Sequence, residues 1–146
     1  MLRGNAPATI DEKGRLKVPV VFRRTIEKQY GAQFFVTSVD GMGVRLYPLP
    51  IWKEIEDKIS SLPSFNPAVA RLLDAVSYFG AEAGLDGQGR LLIQQKLRDS
   101  ADMRGEVAVL GKQTFLEVWN DERFRQRLQA NPLSEEDRRQ LSGLGL

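Results

Sequence analysis

An internal repeat constrains this chain more than any other feature. Ile10-Asp11-Glu12-Lys13-Gly14-Arg15-Leu16 returns 75 residues later as Leu85-Asp86-Gly87-Gln88-Gly89-Arg90-Leu91. The same offset relates Val18 to Ile93 and Phe22-Arg23 to Leu97-Arg98. Further on, Phe35-Val36-Thr37 and Val44-Arg45-Leu46-Tyr47-Pro48 are answered by Val107-Ala108-Val109-Leu110 and Phe115-Leu116-Glu117-Val118-Trp119. There the offset reads as 71, which implies a shorter loop in the second copy. One D-x-x-G-R match arises easily by chance; two, inside the same order of apolar segments, do not. Two copies in 146 residues leave each with a thin core, so the modules must lean on each other or on other subunits.

Each copy reads as strand, tight turn, strand, short helix, strand, turn, strand, helix. Asp11 to Gly14 fits a type I turn. Asp suits the first position because its side chain accepts nearby backbone N–H groups, and Gly suits the fourth because positive φ costs it little. Asp86 to Gly89 repeats the pattern. Asp11, Gly14, Asp86 and Gly89 are therefore expected to be turn-forming. Pro19 suits the first helical turn, where its missing N–H has no partner to lose, and Phe22 and Ile26 follow at helical spacing. Phe34 to Val39 and Val44 to Tyr47 are rich in β-formers around the hairpin signal Asp40-Gly41-Met42-Gly43. Pro50 opens a helix with an expected apolar stripe of Ile51, Ile55, Ile59 and Leu62. Asn66-Pro67 caps a connecting helix, and Ser134-Glu135-Glu136-Asp137 starts another in a polar tail. The expected organisation is a first repeat at 1–60, a connecting helix at 61–76, a second repeat at 77–131 and a C-terminal tail at 132–146.

Composition narrows the chemistry. There is no cysteine and no histidine, so thiolate zinc sites, thiol nucleophiles and the commonest general base are absent. No metal or cofactor is expected, nor a small-molecule substrate. An enzyme would have to be built from Asp, Glu, Lys and Arg, and the paired aspartates that might suggest one are better explained as turn residues. No apolar run approaches a membrane span and the N-terminus lacks a signal-type h-region, so a cytoplasmic protein is expected. Residues 1–30 hold seven basic groups (Arg3, Lys13, Arg15, Lys17, Arg23, Arg24, Lys28) against three acidic ones, a net +4, while the rest of the chain carries −2. A basic segment on a near-neutral body suits a polyanion, though a merely solvated surface fits the charge as well.

The opening Met1-Leu2-Arg3-Gly4, the stretch Asp11 to Pro19, Phe22-Arg23, Leu46-Tyr47-Pro48 with Trp52, the second Asp86-x-x-Gly89-Arg90 and Phe115 to Trp119 resemble the MraZ family. The single module resembles the AbrB-like swapped-hairpin fold. The resemblance implies an α+β chain, a pseudo-twofold tandem repeat of AbrB-like β-barrel modules with short flanking helices. It further implies a nucleoid-associated transcriptional regulator that assembles into rings. Such a regulator binds repeated short sites on double-stranded DNA upstream of the division and cell-wall gene cluster that begins with its own gene. The family's Asp and Arg four residues apart are carried here by Asp11/Arg15 and Asp86/Arg90. The second copy departs by replacing Lys13 with Gln88 and Lys17 with Leu92.

The candidate DNA-binding residues are Arg3, Lys13, Arg15, Lys17 and Arg90. An Arg after a tight turn can bridge a phosphate or fork onto guanine O6 and N7. Lys13 and Lys17 alternate with it and can reach phosphates. The plainer alternative for Arg15 is a surface ion pair with Asp11. Trp52, Trp119, Tyr47 and Phe115 are expected in packing, and Arg123, Arg125 and Arg127 on a solvated helix face. The competing function, from a different class, is an oligomeric interaction protein that modulates a protein partner. Site-specific, salt-sensitive DNA binding separates the two.

Overall fold

The computed structural model describes residues 1–146. Its first half runs β1 (Asn5–Thr9), β2 (Arg15–Lys17), α1 (Val20–Tyr30), β3 (Gln33–Thr37), β4 (Val44–Pro48) and α2 (Leu49–Ser60). A connecting helix α3 (Pro67–Tyr78) leads to β5 (Ala81–Gly84), β6 (Arg90–Leu92), α4 (Gln95–Ala101), β7 (Glu106–Gly111), β8 (Leu116–Asn120) and α5 (Asp121–Ala130). The chain ends with α6 (Glu135–Gln140) and a 3₁₀ turn at Ser142–Leu144. The class is mixed α+β with antiparallel pairing throughout.

The halves interleave. Six strands form one sheet in the order β1-β7-β8-β4-β3-β5, and β2 pairs with β6 in a separate two-stranded ribbon. Each half thus gives its first strand to the other half's hairpin. Exchanging every strand for its repeat returns the same order read backwards, which is a pseudo-twofold arrangement. The register locates the axis: Leu16 lies opposite its own repeat Leu91 in the ribbon, and Arg45 lies opposite Glu117 in the sheet.

That register also corrects the sequence alignment. Phe34 and Val36 occupy the places of Val107 and Val109, an offset of 73, while Leu46 and Tyr47 occupy those of Val118 and Trp119, an offset of 72. The offset of 71 puts each β4 residue on the wrong face, because strand faces alternate every residue. The shortening is also split. It falls partly between the start of α4 and β7 and partly in the β7–β8 hairpin, instead of in one loop.

One face of the sheet meets α1, α4 and the ribbon in the main core, where Leu16, Phe22, Ile26, Phe34, Leu46, Leu91, Ile93, Leu97, Val109 and Val118 are buried. Neither half has a core of its own there. The opposite face is aromatic. Phe35 stacks on Trp52 at 4.6 Å between centroids, and Tyr47 stacks on Phe115 at 4.6 Å. Trp119 packs against Phe124 of α5 at 5.4 Å. The expected packing of these aromatics is met, with Phe115 half-buried.

Helix starts follow their caps, with two differences. Pro19 is the N-cap of α1, one position before the helix, and its carbonyl accepts from Phe22 and Arg23. In α2 the buried residue is Trp52, with Ile55 and Ile59 half-buried beside it, and Leu62 lies past the helix end. The aromatic layer of the sheet draws the indole inward, and Ile51 and Ile55 of the expected stripe pack against the same cluster, so the buried face is widened by Trp52. Asn66 caps α3 by accepting from the Ala68 N–H at 2.8 Å, and Ser134 with Asp137 forms a reciprocal capping box on α6. No helix is long and apolar enough to cross a membrane.

Candidate functional site

Each D-x-x-G-R segment folds into a type I turn closed by a glycine bulge. The Gly14 N–H donates to the Asp11 carbonyl at 3.0 Å, and the Asp11 N–H to the Arg15 carbonyl at 3.0 Å. Gly14 sits at φ +85, a conformation that glycine adopts without strain. In a bulged turn of this kind the Arg15 N–H cannot reach the Asp11 carbonyl. The Asp11 side chain takes it instead, with Oδ1 accepting from Arg15 N at 2.9 Å and from Lys13 N at 3.0 Å. Oδ2 then accepts from Arg15 Nε at 2.8 Å. The second turn repeats these bonds with Asp86, Gln88, Gly89 and Arg90.

These bonds hold the carboxylates charged. The Arg90 backbone N–H, with help from the Gln88 N–H and the Arg90 guanidinium, lowers the Asp86 carboxyl from 3.8 to about 2. Asp11 is lowered in the same direction, chiefly by the Arg15 backbone N–H. An aspartate spent in this way is a poor proton shuttle. No group of three or more acidic side chains is arranged to hold a metal ion.

The ribbon brings four sequence-predicted residues together. Leu16 and Leu91 point into the core, so Arg15 and Lys17 on β2 and Arg90 on β6 face outward, with Lys13 exposed on the adjoining turn. Lys17 lies directly opposite Arg90. Two like charges opposed across a ribbon are unfavourable unless an anion answers them. Arg15 is tethered to Asp11 through Nε alone, and neither of its Nη groups has a protein partner. The ion pair considered as the plainer alternative is thus present, yet it orients the guanidinium and leaves its fork free. Arg90 is tethered likewise to Asp86 at 2.8 Å, with Asp11 at 3.9 Å from its Nη1.

Arg3 is not part of this cluster. Its neighbour Leu2 bridges to Gln113, beside the β7–β8 hairpin, at the end of β1 remote from the turn. At about 3.3 Å per residue it stands roughly 20 Å beyond Thr9.

The structure also gives a role to Arg23 and Arg98. The Arg23 guanidinium lies over Gly89, and that of Arg98 lies over Gly14, where Nη1 donates to the Ile93 carbonyl. Each half's helix therefore clamps the other half's turn. The signal was present in the sequence as a repeat at offset 75, but which turn each arginine covers depends on the interleaving. On α5, Arg125 pairs with Asp121 at 3.3 Å, Arg123 approaches Asp102 at 4.0 Å, and Arg127 lies over Trp119. An apolar groove of about 360 Å³ between α2 and α3, lined among others by Trp52, Ile59, Val69 and Leu73, lies apart from the cations and contains one charged side chain, Glu56.

Comparison with known proteins adds a family. A family model described as "MraZ protein, putative antitoxin-like" matches residues 1–75 and 80–142. A protein of Acidobacterium capsulatum called transcriptional regulator MraZ is 48% identical over 146 residues, covering all of both chains. Its namesake in Koribacter versatilis is 45% identical over 147 residues, again covering both chains fully. One in Yersinia pestis is 35% identical over 156 residues, with both chains covered in full.

Proposed function

The chain belongs to the MraZ family, and from that premise we propose that it is a sequence-specific DNA-binding transcriptional regulator. One observation carries the reading: a two-stranded antiparallel ribbon whose outward side chains include Arg15, Lys17 and Arg90, with Lys13 on the adjoining turn. The major groove admits such a ribbon, and arginine forks match guanine O6 and N7 there. In this reading Arg15 and Arg90 contact bases while Lys13 and Lys17 meet phosphates. Asp11 and Asp86 aim the arginines, and Gly14 and Gly89 shape the turns. Arg3 contributes general attraction from its remote position. Removal of Asp11 or Asp86 would weaken binding by freeing the guanidinium, without removing a contact.

The finer picture follows the family resemblance. The two halves, 1–60 and 77–131, are AbrB-like modules joined by 61–76, with 132–146 as a tail. The protein assembles with itself into a ring, associates with the nucleoid, and represses the division and cell-wall gene cluster that includes its own gene. The target is a series of short repeated sites, each engaged by one subunit of the ring. Several weak contacts then add through avidity.

The test is binding to the DNA immediately upstream of its own reading frame, beside a scrambled duplex, across a salt series. Preference for the natural duplex, with affinity falling steeply as salt rises, is expected. Equal affinity for the two duplexes would overturn the regulator reading in favour of an interaction protein.

A further inference from the structure

The outer face of the ribbon holds one apolar side chain among its cations. We infer that this residue, Leu92, reads the 5-methyl group of a thymine next to the base gripped by Arg15; the inference rests on the DNA reading above. Leu92 ends β6 and lies directly opposite Arg15. Side chains so opposed share a face, with Cβ atoms about 4.5–5.5 Å apart. Leu91 is fully buried, whereas Leu92 is 51% exposed.

Single exposed leucines are ordinary on protein surfaces. This one differs in its surroundings. The other outward positions of the ribbon, Arg15, Lys17 and Arg90, are all cationic, and the repeat of Leu92 in the first half is Lys17. A leucine in that place cannot meet a phosphate. It can meet the one apolar group that a base pair exposes in the major groove, the thymine C5 methyl. Arg15 supplies the neighbouring polar contact, because its free Nη groups present a fork beside Leu92. Successive bases along one strand are about 3.4 Å apart, so two side chains opposed across a ribbon span one step with a small change of rotamer.

The pseudo-twofold axis through Leu16 and Leu91 exchanges the pair Arg15–Leu92 for Arg90–Lys17. One side of the ribbon then presents a guanidinium beside a methyl-binding surface. The other side presents a guanidinium beside an ammonium. Discrimination by methyl group belongs to the first side alone.

The experiment uses the full-length protein and three duplexes: its own upstream DNA made with thymidine, the same sequence made with deoxyuridine, and a scrambled thymidine duplex. Uracil lacks only the methyl group. The parent protein should bind the uracil duplex roughly 4-fold more weakly for each methyl contacted, the equivalent of about 0.8 kcal/mol of apolar burial. Leu92→Ala should bind the thymidine and uracil duplexes alike, because its side chain stops short of the groove floor. Leu92→Lys should also lose the distinction and should bind every duplex with a steeper salt dependence. Circular dichroism and light scattering check that both variants fold and assemble as the parent does.

A parent that binds thymidine and uracil duplexes equally, while preferring both to the scrambled one, overturns the role of Leu92 and leaves the regulator reading intact. An unchanged thymidine-to-uracil ratio in Leu92→Ala also overturns it, since the methyl effect would then arise elsewhere or from duplex shape. A parent that fails to distinguish natural from scrambled DNA defeats both readings together.

Discussion

The turn at Asp11–Arg15 and the turn at Asp86–Arg90 make the same five hydrogen bonds, with lengths that agree to within 0.1 Å. Their side chains nevertheless diverge. Glu12, Lys13 and Lys17 in the first half stand where Gly87, Gln88 and Leu92 stand in the second. The residues that coincide are those that make the backbone: the aspartate that accepts displaced N–H groups, the glycine at positive φ, and the arginine that the aspartate holds. The residues that differ point to solvent and make no turn bond with their side chains. Symmetry of the scaffold therefore depends on three positions per turn, and the outer surface is free to become asymmetric.

Removing the arginines one at a time should have the largest effect. Arg15→Ala should lower affinity for the upstream DNA by about 1–3 kcal/mol for each subunit engaged, and an assembly that binds through several subunits should lose binding altogether. Arg90→Ala should have a milder effect, because its turn carries Gln88 where the first carries Lys13, and Lys17 opposite it still supplies a cation on that side of the ribbon. Gel shifts on natural and scrambled duplexes measure both. A normal Arg15→Ala beside an inactive Arg90→Ala would show that the halves carry the opposite shares.

The scaffold should respond evenly where the surface does not. Gly14→Ala and Gly89→Ala each place a Cβ at positive φ, which costs about 1–2 kcal/mol, and each Cβ overlaps the arginine clamp from the other half. Thermal unfolding should show two similar drops in Tm. A large effect at one glycine and none at the other would mean that the turns are equivalent in shape but unequal in the stability of the fold.

Acid sharpens the same point. Asp86 titrates at about 2 in the folded chain, below its ordinary 3.8. A carboxyl depressed by folding stabilises the fold fully above its unfolded value and ceases to do so as pH falls through the folded one. The stability difference between the parent and Asp86→Asn should therefore hold above about pH 4 and shrink toward pH 2. Asp11→Asn should behave in the same direction. A difference that persists unchanged at pH 2 would remove the carboxylate charge from the account.

The smallest expected effect comes from giving the second turn the first turn's lysine. Gln88→Lys should steepen the salt dependence of binding by about 0.9 in the log–log slope for each new phosphate contact, and Lys13→Ala should flatten it by the same amount. Neither should change which sequence is preferred. A shift in preference with either substitution would move these positions from phosphate contact to base reading.

Much of the fold was legible in the sequence because it depends on local chemistry. The order of elements, both bulged turns, the Asn66 cap and the Ser134 capping box follow from residue types acting within a few positions of themselves. The candidate site was legible in the same way at Lys13, Arg15, Lys17 and Arg90, which all lie within the repeated motif or beside it. Arg3 was grouped with them by charge and nearness in sequence, but a strand carries it to the far end of β1. The clamps by Arg23 and Arg98 and the outward position of Leu92 opposite Arg15 had no local signature.

The period of the repeat and the shape of each turn follow from the sequence alone. A type I turn with a glycine bulge needs only its own five residues and the hydrogen bonds among them. The tertiary structure decided which strands pair. β1 lies beside β7, β5 beside β3 and β2 beside β6, so each half completes the other. Apolar alternation specifies that a strand has an inner face, but any strand with the same alternation satisfies it equally well. Choosing among such partners requires the shared core, where Leu16 and Leu91 meet on the axis and both are removed from water at once. That single contact sets Arg15 against Leu92 and Lys17 against Arg90, and so composes a surface that neither copy of the repeat contains.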